Sequence, residues 1–498
     1  MTRRYIIEAL IPLALIALSV WQLEADRQGL SIQPLAVPGG TPATLYWRNA
    51  AGPAPVVVIA HGFAGSRQLM ESFALTFAHA GYLTVSYDLL GHGRNPTPMS
   101  GDVTTVDGTT RLLMAELGQV AQAALALPEA DGRLAYLGHS MASDIVVRQA
   151  LETPPVRATI AVSMFSQAVT ANAPSDLLII VGGFETRLGE EALRALHLAD
   201  PEAGPGTSVG DPAAGTGRRV VFAPGVEHVG VLFSETSLRE ALAWLDAAFE
   251  RDQEGAIAAR GGWIALLLLS VIALAWPLAK LLPTRDDATV RLPSGRFRIA
   301  AIAPALIVPL LLWPVETQVL PVLVADYLAL HFALYGTLTL FLLGRWGALS
   351  GQFGARALWI GAAVALFGIG VFGAALDRYA VSFFPHAGRV AIIAALALGS
   401  VPFMLGDALL TEGGRASTWR VILVRGVFLA SLGLAVALNF EALFFLIIIL
   451  PVILLFFLLF GTMSGWVGRR TGLPVAGGIG LGLLLAWALG VTFPLFAP

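Results

Sequence analysis

Apolar and polar positions divide the chain into three stretches of different texture. Residues 1–24 open with Arg3 and Arg4 and then run apolar from Tyr5 to Trp21, with Glu8 the one charge inside the run. Residues 25–260 mix the two kinds of position in globular proportions. From Gly262 onward, long apolar runs alternate with short arginine-bearing loops. A membrane-spanning helix needs about 20 mainly apolar residues. That length predicts eight helices in the last stretch, near 263–282, 299–315, 319–343, 357–376, 389–410, 421–439, 442–461 and 473–496. The second is short and holds Pro304, Pro309 and Pro314, so a kinked or re-entrant segment is expected there.

The middle stretch has a different rhythm. Short β-rich runs recur at Val56–Ala60, Leu83–Tyr87, Leu134–Leu137, Thr159–Met164, Leu177–Val181 and Arg219–Phe222. Helical apolar spacing falls between most of them, at Ser66–Ala80, Thr109–Leu127, Ala142–Leu151 and Gly189–Ala199, and Ser237–Phe249 follows the last. Such alternation predicts a mainly parallel sheet with helices on both faces. Runs as continuously apolar as Val56–Ala60 suit burial on both sides. An earlier pair, Ile32–Val37 and Thr44–Trp47, is expected as an antiparallel edge. Residues 200–217, rich in Gly, Ala and Pro, read as a loop.

Composition sharpens this division. Of 498 residues, 56% are hydrophobic and 13% charged, against about a quarter charged in soluble proteins; the excess belongs in lipid. The expected organisation is an N-terminal anchor over 1–24, an α/β domain over 25–250, a linker over 251–262 and an all-α multi-span transmembrane domain over 263–498. The first segment reads as an uncleaved anchor rather than a signal peptide, because no A-x-A site follows it. Short-loop arginines concentrate on one side: Arg285, Arg291, Arg296 and Arg298, then Arg345 and Arg356, Arg415 and Arg420, Arg469 and Arg470. Only Arg378 and Arg389 fall on the other. The positive-inside rule therefore predicts a cytoplasmic N-terminus, with residues 25–260 and the C-terminus outside. The expected location is a bacterial inner or plasma membrane.

A formal charge of −3 without a basic tract argues against nucleic acid as a partner. The absence of cysteine excludes disulfides, thiolate metal sites and a cysteine nucleophile. No histidine–carboxylate grouping has zinc spacing, so neither metal nor cofactor is expected.

In doubly covered parallel sheets, chemistry gathers at the carboxyl ends of the strands. The third parallel run is followed by Gly138-His139-Ser140-Met141-Ala142, close to G-x-S-x-G, in which small flanking residues permit a sharp strand-to-helix turn bearing a nucleophile. The Met141 backbone N–H then stands beside the Ser140 hydroxyl. His61-Gly62-Phe63-Ala64-Gly65 follows the first run, and the Phe63 N–H is the candidate second oxyanion donor. Glu185 follows the fifth run and His228 the sixth, in the order nucleophile, acid, base. His228 would take the Ser140 proton, and Glu185 would orient the imidazole and stabilise its cation. Asp176, Glu190 and Asp211 compete with Glu185 for that role.

With these motifs and Asp88-Leu89-Leu90-Gly91-His92-Gly93-Arg94, residues 44–250 resemble the α/β-hydrolase superfamily, in its lidless, dienelactone-hydrolase-like or serine-aminopeptidase-like form. Two positions depart from the usual pattern: Glu185 stands where Asp is commoner, and Ala142 replaces the last glycine. The Phe165–Asp176 connection is too short for a lid domain. His61, His139 and Asp88 read as structural, and His92 as ordering its loop.

Among the membrane helices, Asp326, His331 and Tyr335 share one span; interhelical hydrogen bonding is the expected use of His331 and Tyr335. Arg425 is expected to snorkel or to pair with Asp407, Glu8 to reach headgroups, and the glycines at 368, 370, 477, 478, 480 and 482 to mark close helix packing.

The expected activity is a membrane-anchored serine hydrolase that cleaves carboxylic esters, lipidic ones among them, through an acyl-enzyme. A peptidase or amidase with the same residues, and a transporter or scaffold whose outer domain only binds or gates, are the alternatives. Expected partners are an ester or lipid-like small molecule and the bilayer; oligomeric state is left open.

Overall fold

The computed structural model describes residues 3–48, 52–102, 105–153, 155–252, 255–284, 291–316 and 319–497. The Arg285 counted above lies outside them. The chain forms two compact units. One holds Leu18–Ala265 together with Asp377–Ser382 and the residues from Pro494. The other holds the chain up to Ala17 with Leu266–Leu376 and Phe383–Phe493.

In the first unit the strands are β1 (Ser31–Leu35), β2 (Ala43–Trp47), β3 (Ala54–Ala60), β4 (Leu83–Tyr87), β5 (Ala130–His139), β6 (Ala158–Val162), β7 (Leu177–Gly182), β8 (Ser208–Val209) and β9 (Arg218–Ala223). They form one sheet in the order β1-β2-β4-β3-β5-β6-β7-β9-β8. The inner strands β4, β3, β5, β6, β7 and β9 pair in parallel. β1 and β2 form the antiparallel edge. β8 was not foreseen: Ser208 and Val209 pair antiparallel with Arg219 and Arg218 inside the stretch read as loop.

Helices α2 (Glu71–His79), α3 (Arg111–Leu125), α4 (Met141–Glu152), α5 (Thr186–His197) and α6 (Glu235–Phe249) cover the sheet. Apolar strands require that cover, and every residue of β4, β6 and β7 is buried. One core joins α2 and α6 side chains such as Phe73, Phe77, Leu238 and Leu245 to Val57, Ile59 and Leu137. α5 begins three residues before the predicted Gly189. That glycine is a packing position and not a boundary, since a Cβ there would meet the Phe222 ring at 2.8 Å. No helix interrupts the connection from β6 to β7.

A buried ionic cluster in the same unit was not legible in sequence. Glu71, at the start of α2, receives guanidinium bonds from both Arg27 and Arg260. Arg260 is 1% exposed, and Asp26 stands 3.8 Å from it.

Nine helices among the described residues are long and apolar enough to cross a membrane. They are α1 (Arg3–Ala25), α7 (Gly261–Ala279), α8 (Ser294–Leu312), α9 (Ala325–Arg345), α10 (Ala355–Tyr379), α11 (Ala387–Leu410), α12 (Thr418–Leu438), α13 (Leu446–Thr471) and α14 (Pro474–Thr492). α8 is a continuous helix despite Pro304 and Pro309. α14 is the most enclosed, with 72% of its apolar window buried. A Cβ at Gly478, Gly480 or Gly482 would run into Leu405, Val364 or Val401 of its neighbours, which is why these positions carry no side chain.

Polar groups in this unit are matched locally. His331 lies between Tyr327 and Ser431, and Tyr335 donates to the Ala301 carbonyl. Asp326, in the first turn of α9, accepts from the backbone N–H groups of Val319 and Leu320 in the segment before the helix. Glu8 does not stand as a lone headgroup contact, because it pairs with Lys280. Burying a carboxylate beside an ammonium avoids the cost of leaving either alone in lipid.

Candidate active site

β5 ends at His139 and α4 starts at Met141, so Ser140 alone makes the corner, at φ 54° and ψ −117°. That conformation costs an L-residue about 1–3 kcal/mol. It is held by the Ser140 N–H donating to Val162 O at 2.8 Å and by Ser140 O accepting from the Ser143 N–H at 2.9 Å. A Cβ at Gly138 would collide with the Ala142 carbonyl, whereas Ala142 itself fits fully buried. The alanine in place of the last motif glycine is therefore accommodated.

The loop after β9 brings His228 to this corner. Its Nε2 lies 2.8 Å from Ser140 Oγ, and its Nδ1 lies 2.5 Å from Glu185 Oε1. The second Glu185 oxygen accepts from Ser163 Oγ at 2.7 Å and from the Gly182 N–H at 2.6 Å. Burial opposes charge on Glu185, but the bonds from His228, Ser163 and Gly182 outweigh it and hold the carboxyl below its usual range. The three competing carboxylates are elsewhere engaged or exposed. Asp176 accepts from the Gly217 N–H, Asp211 caps a short turn through the Ala213 N–H, and Glu190 is exposed on α5.

The turn after β3 closes on the serine. A Cβ at Gly62 would stand 2.9 Å from Ser140 Cβ, so only glycine lets this backbone approach. Phe63 follows it, and Met141 is the first residue of α4, where backbone N–H groups have no intrahelical acceptor. Of the two predicted oxyanion donors, Phe63 thus follows the glycine that approaches Ser140 and Met141 follows the serine itself.

The remaining histidines act as supports. His61 is fully buried; its Nδ1 donates to Gly62 O at 2.8 Å and its Nε2 accepts from the Leu89 N–H at 3.1 Å, which sets its tautomer. His92 packs edge-on to Phe63 at 5.9 Å and bonds the Leu90 carbonyl. Asp88 accepts from Arg67 and from the Arg94 N–H. His139 has its Nε2 on the His228 carbonyl at 2.9 Å and its ring 4.8 Å from the His228 ring. Burial and the adjoining His228 push its pKa down to about 3. It is therefore neutral and can donate to that carbonyl, holding the His228 loop in place. Ser163 was missed in sequence; it stands one residue beyond β6 at φ 52° with no motif around it.

Residues 51–196 match the family model described as serine aminopeptidase, S33. With the parallel sheet and the serine corner, that match settles the architecture. The globular unit has the α/β-hydrolase fold.

No curated protein matches the sequence. Solved structures similar to the α/β-hydrolase unit include a dienelactone hydrolase from Anabaena variabilis, at 20% identity over 44% of this chain and 98% of that one, TM-score 0.33. An epoxide hydrolase from Vigna radiata is similar at 19% identity over 28% of this chain and 39% of its own, TM-score 0.22. Among the described residues no group of three His, Asp or Glu side chains is placed to hold a metal ion.

Proposed function

We propose that the protein is a membrane-anchored serine hydrolase that cleaves carboxylic esters. The observation that carries this reading is the continuous chain Ser140 Oγ, His228, Glu185, with contacts of 2.8 and 2.5 Å. In the proposed mechanism His228 removes the Ser140 proton as Oγ attacks the ester carbonyl. The Phe63 and Met141 N–H groups receive the developing oxyanion. His228 then protonates the departing alcohol, leaving an acyl-Ser140. Water, deprotonated by His228, attacks that acyl group and releases the acid. Glu185 stays ionised and stabilises the imidazolium in each half.

Ester substrates are favoured by the apolar side chains on the site loops. Phe165, Phe184 and Val229 are 59%, 71% and 45% exposed; the last two adjoin Glu185 and His228 in the chain, and the Phe165 N–H contacts Ser143 Oγ. The carboxylate of Glu227, the residue before His228, accepts from the Val229 and Gly230 N–H groups of its own loop. The family-model match favours a second reading, a peptidase working through the same residues. We assign the α/β-hydrolase unit to the extracytoplasmic side of a bacterial inner membrane, on the distribution of arginines described above.

The test uses the full-length protein in membranes. A fluorophosphonate probe is expected to label it, and Ser140→Ala to abolish both labelling and ester turnover; labelling of the variant at the wild-type level would overturn the assignment. Turnover of acyl esters alongside inert peptide amides supports the esterase reading, and the reverse pattern supports the peptidase.

A further inference from the structure

The membrane unit contains a cavity of about 270 Å³ among α11, α12, α13 and α14. Small-molecule sites usually occupy about 300–1,000 Å³, so this one suits a small group. Asp407, Arg425 and Arg469 line it, with the hydroxyl residues Thr411, Thr418 and Ser464. Asp407 is buried and takes Arg425 Nε and Nη2 at 3.1 Å each. Arg425 Nη1 donates to Phe457 O at 3.3 Å. A guanidinium has five N–H donors, so Arg425 keeps two beyond these bonds. Arg469 makes a single side-chain bond, from Nη1 to Gly414 O at 2.8 Å, and pairs with no carboxylate among the described residues.

α13, which carries Arg469 and faces Arg425, is bare where both guanidiniums lie. A Cβ at Gly461 would stand 2.6 Å from Arg425 Nη1, and one at Gly465 would stand 3.2 Å from Arg469 Nη1. The two glycines are about one turn apart on α13. The wall therefore carries two guanidiniums against one carboxylate, around an open volume. Pairing with Asp407 accounts for Arg425 as a half-buried charge, but not for the void or for Arg469.

We propose that this cavity binds a phosphate-type anion, either the headgroup of an anionic phospholipid or free phosphate. Guanidinium forks match phosphate oxygens in geometry and in charge. Thr418 and Ser464 supply further hydroxyl donors, whereas Thr411 already donates to Asp407 O, and the volume admits a headgroup but not its acyl chains. Those chains would have apolar helix surface to lie on, since Ile422 and Leu458, adjacent to or one turn from lining residues, are 66% and 61% exposed on their helices. The proposal stands independently of the hydrolase reading.

The experiment measures the Tm of the detergent-solubilised full-length protein. Sodium phosphate is titrated against chloride at matched ionic strength, and short-chain phosphatidylglycerol against phosphatidylcholine. One of the two anionic probes is expected to raise Tm with saturation. Arg469→Ala, which alters an exposed side chain, and Gly465→Val, which fills the cavity, are each expected to weaken the response about tenfold or more, the loss of a charge-assisted contact. Arg469→Lys, which keeps charge without the fork, should fall between. A response to phosphate alone identifies a free-anion site, and one to phosphatidylglycerol alone a headgroup site. If neither probe stabilises the protein, or if Arg469→Ala responds as wild type does, the proposal is overturned.

Discussion

Ser163 donates to Glu185 Oε2 at 2.7 Å while His228 occupies the other oxygen. Its hydroxyl therefore lowers the basicity of the carboxylate on which the imidazolium would depend. Ser163→Ala removes the donor with the least change of volume and adds no β-branch at this positive φ, making Glu185 more basic. Whichever member of the coupled pair takes the proton, the acid limb of kcat/KM should move to higher pH. Activity would be lost earlier as pH falls, with kcat at neutral pH reduced by about tenfold, the order expected for one lost hydrogen bond to a charged group. A pH–rate profile with an ester substrate measures both. Ser140, Glu185 and His228 could be named from sequence because each follows a strand inside or near a glycine-marked turn. Ser163 also follows a strand, but its role rests on a positive φ and on β6 lying beside β7, which only coordinates display.

At the scale of elements, α3 holds the loop after β4 through Glu116. Its Oε1 accepts from Thr41 Oγ1 and Asn95 Nδ2, and its Oε2 from the Leu90 N–H. Burial pushes the Glu116 carboxyl from 4.5 up to about 7 against those three bonds. A folded-state pKa above the unfolded one means the native state binds the proton more tightly. The stabilisation is then complete below the ordinary pKa of 4.5 and is lost as pH rises through about 7. Glu116→Gln cannot ionise, so it should flatten this part of the stability profile, at a constant cost from an amide N–H facing Leu90. Thermal unfolding of both proteins across that pH range is the check; an unchanged slope would contradict the argument. The loop concerned carries His92, which packs against Phe63, so loosening it bears directly on the turn that holds Phe63. The parallel strands were legible as elements because doubly buried runs are continuously apolar. β8 was not, because a two-residue edge pairing inside a glycine- and proline-rich stretch has no hydropathy signature. The Glu71 cluster was hidden for another reason: its arginines come from positions 27 and 260, and sequence separation conceals such partners.

For the whole molecule, parity ties the side of the α/β-hydrolase unit to the side of two other segments. If all nine apolar helices cross once, the segments after the first, fifth and ninth share one side. These are the α/β-hydrolase region, the turn after Tyr379 and the C-terminus. Residues 377–382 and those from Pro494 do group with the α/β-hydrolase unit. Arg378 and Tyr379 bond Glu24, Arg94 pairs with Asp377, and the Leu495 N–H donates to Gly91 O at 2.9 Å. The two arginines that run against the positive-inside count are also tied down. Arg378 is neutralised by Glu24, and Arg389 is fully buried with its guanidinium on Gly490 O and Phe493 O. The rule counts Arg and Lys rather than net charge, so both stay in the tally, in which the arginines of the other loops still outnumber them. A C-terminal fusion to an enzyme active only outside the cytoplasm should therefore be active, and a fusion within the 346–354 loop should not. Activity in the reverse pattern would place Ser140 in the cytoplasm and remove external esters from its reach, while leaving the serine chemistry itself intact.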